Sequence, residues 1–433
     1  MLSVAGKRVL HVDRNNYYGA EAASLALNNL YERFRGDASG IPKEYGRPQD
    51  WAVDLIPKLI MADGSLTKIL LHSKVTRYLQ FRSIDGSFVY TNDDGGWLSK
   101  SDKIEKVPTT PAEALSSGLM GMFEKRKFRN FLLFMDTYDP KDPSTLLQGK
   151  TLDNYTCREL FTYYDLDPNT QGFIAHAMML FTDDDYLDWT ANVAADALKL
   201  YMDSMQRYPP HTSPYIYPLY GLGGLPEGFS RLCAINGGTF MLNRGIDEIL
   251  TGPDGKAWGV KADNTVAKAK IFVGDPSYFK SEMSEKVGQV ARSICILNHP
   301  IPNTNDAESA QIILPARQLN RKNDVYICMV SSAHDVCAQG FYIAIVSTLV
   351  ETATPMEELA TAIRLLGPVS ERFDTVADMM APTNNGLDDN CFMSKSYDAA
   401  SHFESTANDV LELYERITGE KLDMSIEPEL DDM

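Results

Sequence analysis

Positive charge is in short supply in this chain. Its 433 residues carry 41 Lys and Arg against 59 Asp and Glu, a net −18 at neutral pH. A polyanion would be repelled over most of such a surface, which excludes wrapping around nucleic acid phosphates. Long apolar runs are missing too: nothing approaches the roughly 18 consecutive apolar residues of a membrane-spanning helix. No apolar stretch precedes Gly6 and Lys7, so no secretory signal is expected, and Met433 ends the sequence without a prenylation motif. The six cysteines (Cys157, Cys233, Cys295, Cys328, Cys337, Cys391) form no CxxC pair, and the seven histidines form no HExxH. Buried reduced thiols in a cytosolic protein are the expectation, with no structural or catalytic metal. GxSxG is absent, so a serine nucleophile lacks its elbow, and His402 after Ser401 reads as a structural histidine. What is present, 44% hydrophobic and 23% charged residues, supplies large cores for two or three domains of about 150 residues each.

The stretch from Gly6 to Asp13 has the form of a buried parallel strand ending in an acid, broken by Arg14-Asn15-Asn16-Tyr17-Tyr18-Gly19. In a nucleotide-binding βαβ unit that acid follows a GxGxxG turn by about 20 residues, and there is no room for the turn before Met1. The expectation is a central sheet short of its first strand. Residues 110–135 form the clearest helix: Thr110 caps, Pro111 opens and Glu113 completes a capping box. Leu115, Leu119, Met122, Phe128, Phe131, Leu132 and Met135 recur at helical spacing. Further helices are expected at 172–181 and 192–208, making 105–210 a helical insertion rich in Met and Phe. Such side chains suit an apolar groove for a lipid and an ordinary core alike. After Pro209-Pro210 the texture becomes β-type, with strands expected at 239–242, either side of the Pro253-Asp254-Gly255 turn, and at 270–275, 312–314, 325–330 and 341–346. A final helix is expected over 404–418 with Val410, Leu411, Tyr414 and Ile417 inward, then an acidic tail.

The segment 215–229 is the most unusual. Gly221, Gly223, Gly224 and Gly228 could let backbone amides approach an anion, but Pro226 removes a donor and no Lys-Ser or Lys-Thr pair follows, so a P-loop fails. Tyr215, Tyr217 and Tyr220 beside a glycine hinge, with Arg231 nearby, fit an exposed recognition surface; a buried strand-turn-helix uses the same residues equally well. Asp183-Asp184-Asp185 lacks the spacing of a Ca²⁺ loop and reads as helix capping.

Eight segments together resemble the Rab GDP-dissociation inhibitor family, within a superfamily shared with the longer Rab escort proteins. They are Asp13-Arg-Asn-x-Tyr-Tyr-Gly19, Trp51-Ala-Val-Asp-Leu-Ile-Pro-Lys58, Gly86-Ser-Phe-Val-Tyr90, Leu119-Met-Gly-Met-Phe-Glu-Lys-Arg126, Ser213-Pro-Tyr-x-Tyr-Pro-Leu-Tyr-Gly-Leu-Gly223, Gly237-Gly-Thr-Phe-Met-Leu-Asn243, Asp275-Pro-Ser-Tyr278, and Ser396-Tyr-Asp-Ala399 with His402-Phe-Glu404.

The resemblance implies an α/β (α+β) fold. A large FAD/NAD(P)-binding-like multi-sheet domain without flavin would span 1–104 and 211–420, with a smaller helical prenyl-binding domain at 105–210 and an acidic tail at 421–433. It implies a cytosolic, non-enzymatic carrier that needs no cofactor. The carrier would bind GDP-loaded, geranylgeranylated Rab GTPases, slow GDP release, and meet membranes only transiently through the Rab. By motif match, Tyr18, Arg231, Thr239 and Met241 would form the Rab platform, with Gly224 standing where the family has glutamate. Asn16 replaces the family's proline. Tyr215, Tyr217 and Tyr220 would lie in a mobile loop within 208–220, Ile104 and Val107 would grip the Rab C-terminus, and Leu119, Met122, Phe131, Ile174 and Met178 would line the lipid groove. Rival readings are a flavin-dependent oxidoreductase of the same fold and an inactive relative of the family.

Overall fold

The computed structural model describes residues 1–93, 101–108 and 121–425. Its backbone is a seven-stranded mixed sheet with the strand order Glu371–Pro382, Ser284–Leu297, Tyr342–Leu349, Val325–Ser331, Ala310–Leu314, Gly86–Asp93, Ser101–Lys106. Side chains alternate across it as strand geometry demands. Ala291, Cys295, Ile312, Ile327, Met329, Ala344 and Val346 face a core capped by Leu359, Ala362 and Leu366. The opposite face divides. Ile294, Ile296, Cys328, Val330, Ile343 and Ile345 pack on the N-terminal segments and on Tyr215 and Tyr217. Val89, Ile313 and Tyr326 instead support the helices.

Those helices are Met122–Thr137, Cys157–Tyr163, Pro168–Phe173 and Ala191–Arg207, with a π-helical turn at Ile174–Met178. Their starts are written locally. Thr156 and Glu159 form a full capping box, while Asp167 accepts from the Thr170 amide ahead of Pro168. Helices expected at 172–181 and 192–208 are thus found with shifted ends. Of the first expected helix only the part from Met122 is described. Thr110, Pro111, Glu113, Leu115 and Leu119 lie outside the described residues, as do 94–100 and the last residues of the acidic tail. Phe128, Phe131 and Met135 are buried as their spacing implies, but Met122 is 86% exposed. The strand Ser101–Lys106 also carries the large sheet two residues into the stretch expected to be helical.

The expected strands are present, except that the stretch Gly6–Asp13, expected as a buried strand, is a strand only at Leu10–Val12, with Leu10 and His11 exposed; two long strands were not anticipated: Ser284–Leu297 and its antiparallel neighbour Glu371–Pro382. In the final helix, Glu404–Thr418, the buried positions are Ala407, Asp409 and Leu413, and Val410 faces solvent. The inward stripe is rotated because Asp409 turns inward to accept the Lys395 amide at 2.9 Å. No helix among the described residues is long and apolar enough to cross a membrane.

Candidate functional site

Two distant stretches of chain build one surface. The strand Leu10–Val12 runs parallel to Thr239–Met241, with Leu10 opposite Thr239 and Val12 opposite Met241. The pairing extends beyond both: Asp13 N–H donates to Met241 O at 2.9 Å, and Asn243 N–H to Asn15 O at 2.7 Å. Phe240 is the hub. His11 stacks on it at 4.9 Å and Tyr18 meets it edge-on at 5.8 Å. Thr239 and Met241, its neighbours on the alternate face, are exposed. Arg14 then ties this corner to the Asp275-Pro-Ser-Tyr motif, donating to Ser277 Oγ at 2.9 Å and lying 3.9 Å over the Tyr278 ring.

The helix Gly224–Ile235 brings Arg231 to the same neighbourhood. It passes into Thr239–Met241 through a tight turn in which the Gly237 and Gly238 amides donate to Ala234 O and Cys233 O. Arg231 is exposed and lies 4.6 Å over the Tyr78 ring. Gly19, at φ 92°, anchors the first segment to this helix, since a side chain there would come within 2.5 Å of Pro226. Tyr18, Arg231, Thr239 and Met241 therefore lie on connected elements. Gly224 sits at the first turn of the helix, facing Leu79.

The glycine-rich turn does cradle an acidic group, and the group is the protein's own. Asp54, in the Trp51–Lys58 motif, is buried, and both its carboxylate oxygens accept from the Leu222 amide, at 3.0 and 3.1 Å. Ser24 Oγ and Tyr217 OH also donate to it. Burial raises its pKa to about 7, against the opposing hydrogen bonds from Ser24, Tyr217 and Leu222. Sequence reasoning recognised both motifs and missed this link, because the partners are 168 residues apart.

Three expectations need correcting. Tyr215 and Tyr217 are not an exposed recognition surface: they sit in the strand Tyr215–Pro218, paired on both sides and buried, and only Tyr220 is open, at 65%. Ile104 and Val107 are buried too, Ile104 in the sheet core and Val107 against the helices, so neither presents apolar surface to a partner. Phe131, Ile174 and Met178 are closed over by neighbouring helices, whereas Met122, and Phe123 beside it, are exposed. Leu119 lies outside the described residues.

Two ionic clusters lie elsewhere in the fold, each with wholly buried members. Lys58, wholly buried, pairs with Asp398 and so joins the Trp51–Lys58 and Ser396–Ala399 motifs. His402 beside them is a buried structural histidine, its pKa pushed down to about 4 by burial and by Lys58. Between sheet and helices, His176 Nδ1 lies 2.8 Å from Asp324 and its Nε2 3.5 Å from Asp184, which also accepts from Arg317 at 2.7 Å. Asp184 holds the N-cap position of the short turn Asp185–Asp188 but its side chain is engaged in ion pairs and makes no cap bond; Asp183 accepts from the Asp185 amide at 3.0 Å.

The backbone shares its fold with an oxidoreductase from Methanosarcina mazei, which superposes with a TM-score of 0.55 at 13% identity, over 96% of each chain, a likeness of fold alone. Within that fold class, the chain belongs to the GDP dissociation inhibitor family, whose model matches residues 1–429. It is 48% identical over 432 residues to a secretory pathway GDP dissociation inhibitor of Schizosaccharomyces pombe, covering all of this chain and 95% of that one. It is 49% identical to the Rab GDP dissociation inhibitor beta of Rattus norvegicus, covering 98% and 92%. The crystal structure of a Rab GDI from Plasmodium falciparum superposes with a TM-score of 0.92 at 44% identity, covering 98% of this chain and 95% of that one. The family consists of regulators, so the chain is not an enzyme and the oxidoreductase reading is set aside.

Proposed function

We infer that this chain binds GDP-loaded, geranylgeranylated Rab GTPases, slows their GDP release, and carries them between membranes through the cytosol. The observation that supports this best is the two-segment surface around Phe240, which brings Tyr18, Thr239 and Met241 beside the helix of Arg231 within a family whose members are GDP dissociation inhibitors. A surface of this kind selects the GDP state by reading segments that a γ-phosphate rearranges. GDP release then slows because binding favours the loaded state.

A geranylgeranyl chain left in water costs about 0.8 kcal/mol per exposed CH₂, so the carrier must cover it. The helices around Phe131, Ile174 and Met178 would part to admit it, with exposed Met122 and Phe123 at the rim. Protein and lipid contacts on one body add as avidity, which lets extraction compete with a doubly anchored membrane state.

The test is incubation with GDP-loaded, geranylgeranylated Rab on liposomes. Rab should move to the supernatant in proportion to added protein, and Rab remaining wholly in the pellet would overturn the reading. Arg231→Ala should lower extraction about tenfold, roughly 1.4 kcal/mol, without changing the melting temperature, since the side chain is exposed.

A further inference from the structure

The carboxylate of Asp54 lies beneath the surface and gathers two other stretches of chain, one at Ser24 and one running from Tyr217 to Leu222. Ser24 Oγ donates to Oδ1, Tyr217 OH to Oδ2, and the Leu222 amide to both. Ser24 Oγ in turn accepts from the Gly223 amide at 2.7 Å. Every one of these partners is a hydroxyl or a backbone N–H, so the carboxylate supports the turn Gly221–Leu222–Gly223 without an ion pair. The turn is moulded to it: Gly221 has φ 87°, and a side chain there would come within 2.5 Å of Ser24 Oγ and 2.9 Å of Asp54 Oδ1. Immediately after the turn begins the helix Gly224–Ile235 that carries Arg231. The turn's direction therefore sets where the helix points.

We propose that Asp54, with Ser24, is a positioning residue for Rab binding: its carboxylate fixes the Gly221–Gly223 turn and thereby aims the helix that presents Arg231. The proposal rests on the reading of Arg231 as a platform residue. It adds a role for a buried acid that no surface motif reveals, and it explains why two glycines precede the helix. Asp54→Asn keeps the shape and one acceptor oxygen but loses the second, so the Leu222 amide is held less tightly. Ser24→Ala releases the Gly223 amide while leaving the carboxylate in place.

The experiment measures two things on the full chain with each variant and with Arg231→Ala. One is hydrogen exchange at the Leu222 and Gly223 amides in the free protein; the other is affinity for GDP-loaded, geranylgeranylated Rab. Expected for Asp54→Asn is exchange at Leu222 at least tenfold faster, with Rab affinity about tenfold lower and a cooperative melt retained. For Ser24→Ala the faster exchange falls on Gly223, with a smaller loss of affinity. Arg231→Ala lowers affinity without touching either amide. Unchanged exchange in Asp54→Asn and Ser24→Ala overturns the clamp. Faster exchange with undiminished affinity, while Arg231→Ala still weakens binding, overturns positioning alone. An Arg231→Ala protein that binds Rab normally removes the platform reading on which the proposal rests, and the amide data still report separately on the clamp. Should Asp54→Asn fail to fold, Ser24→Ala, at a partly exposed position, decides between these outcomes.

Discussion

A buried acid without a counter-charge makes stability depend on pH in an unusual direction. Asp54 has its pKa raised by burial to about 7, from an ordinary 3.8. Between those values the folded chain holds a proton that the unfolded chain releases, so stability falls as pH rises from about 4 to about 7 and stays low above that. The full difference is on the order of 4 kcal/mol at most. The melting temperature of the native chain should therefore drop more between pH 5 and pH 8 than that of Asp54→Asn, by several degrees; parallel melting curves would show that the acid is not titrating there. Gly224 offers a second test at this scale. A Cβ at that position would meet only the tip of Leu79, at 3.1 Å, a flexible neighbour that needs to give by a few tenths of an ångström. Gly224→Glu should therefore fold, supply the carboxylate that the family resemblance implies there, and tighten the proposed Rab complex several-fold in an equilibrium titration. A weaker complex would mean that this platform works without the charge.

At the scale of elements, the helices were legible and the largest sheet was only partly so. Apolar spacing placed Ala191–Arg207 and Glu404–Thr418 to within a residue, because a helix packed on a core repeats its apolar residues along one face. The strand Ser284–Leu297 escaped because its buried half contains Arg292 and Ser293. Arg292 donates through Nη2 to the carbonyl of Asp398 at 2.9 Å, and Ser293 donates to Asp374. Partners so far along the chain leave no mark on the local pattern. The same holds for the junction between sheet and helices at His176. Burial alone would lower its pKa, but Asp324 and Asp184 outweigh burial and raise it to about 9. The groups around it are those two carboxylates, Arg317 paired with Asp184, and the rings of Tyr186 and Tyr326. An imidazole raised from 6.5 to about 9 contributes stability that is complete below pH 6.5 and lost as pH climbs through 9. Heating the native chain at pH 6 and pH 9.5 should show a loss of several degrees that His176→Asn lacks. Hydrogen exchange in Ala191–Arg207 should rise over the same pH interval.

For the whole molecule, the charge of −18 is the property visible before any fold, and it bears on the proposed delivery cycle. An acidic body approaching an anionic leaflet is repelled over about a Debye length, roughly 10 Å at 0.1 M salt. The proposed platform and the helices proposed to hold the lipid are carried on that body, so on this reading each visit to a membrane has to be favoured by the Rab and its prenyl groups rather than by the lipid surface. Two consequences can be measured together. Without Rab, the protein should remain in the supernatant with vesicles rich in phosphatidylserine, at low salt and at physiological salt alike. With GDP-loaded, geranylgeranylated Rab in the same vesicles, extraction should speed up as salt rises from about 10 to about 150 mM, because screening lowers the repulsive barrier. On vesicles of neutral phosphatidylcholine the rate should be nearly flat over that range. Extraction that slows with salt on the anionic vesicles would show instead that a basic patch leads the approach, and the overall charge would then have no part in how the carrier reaches its cargo.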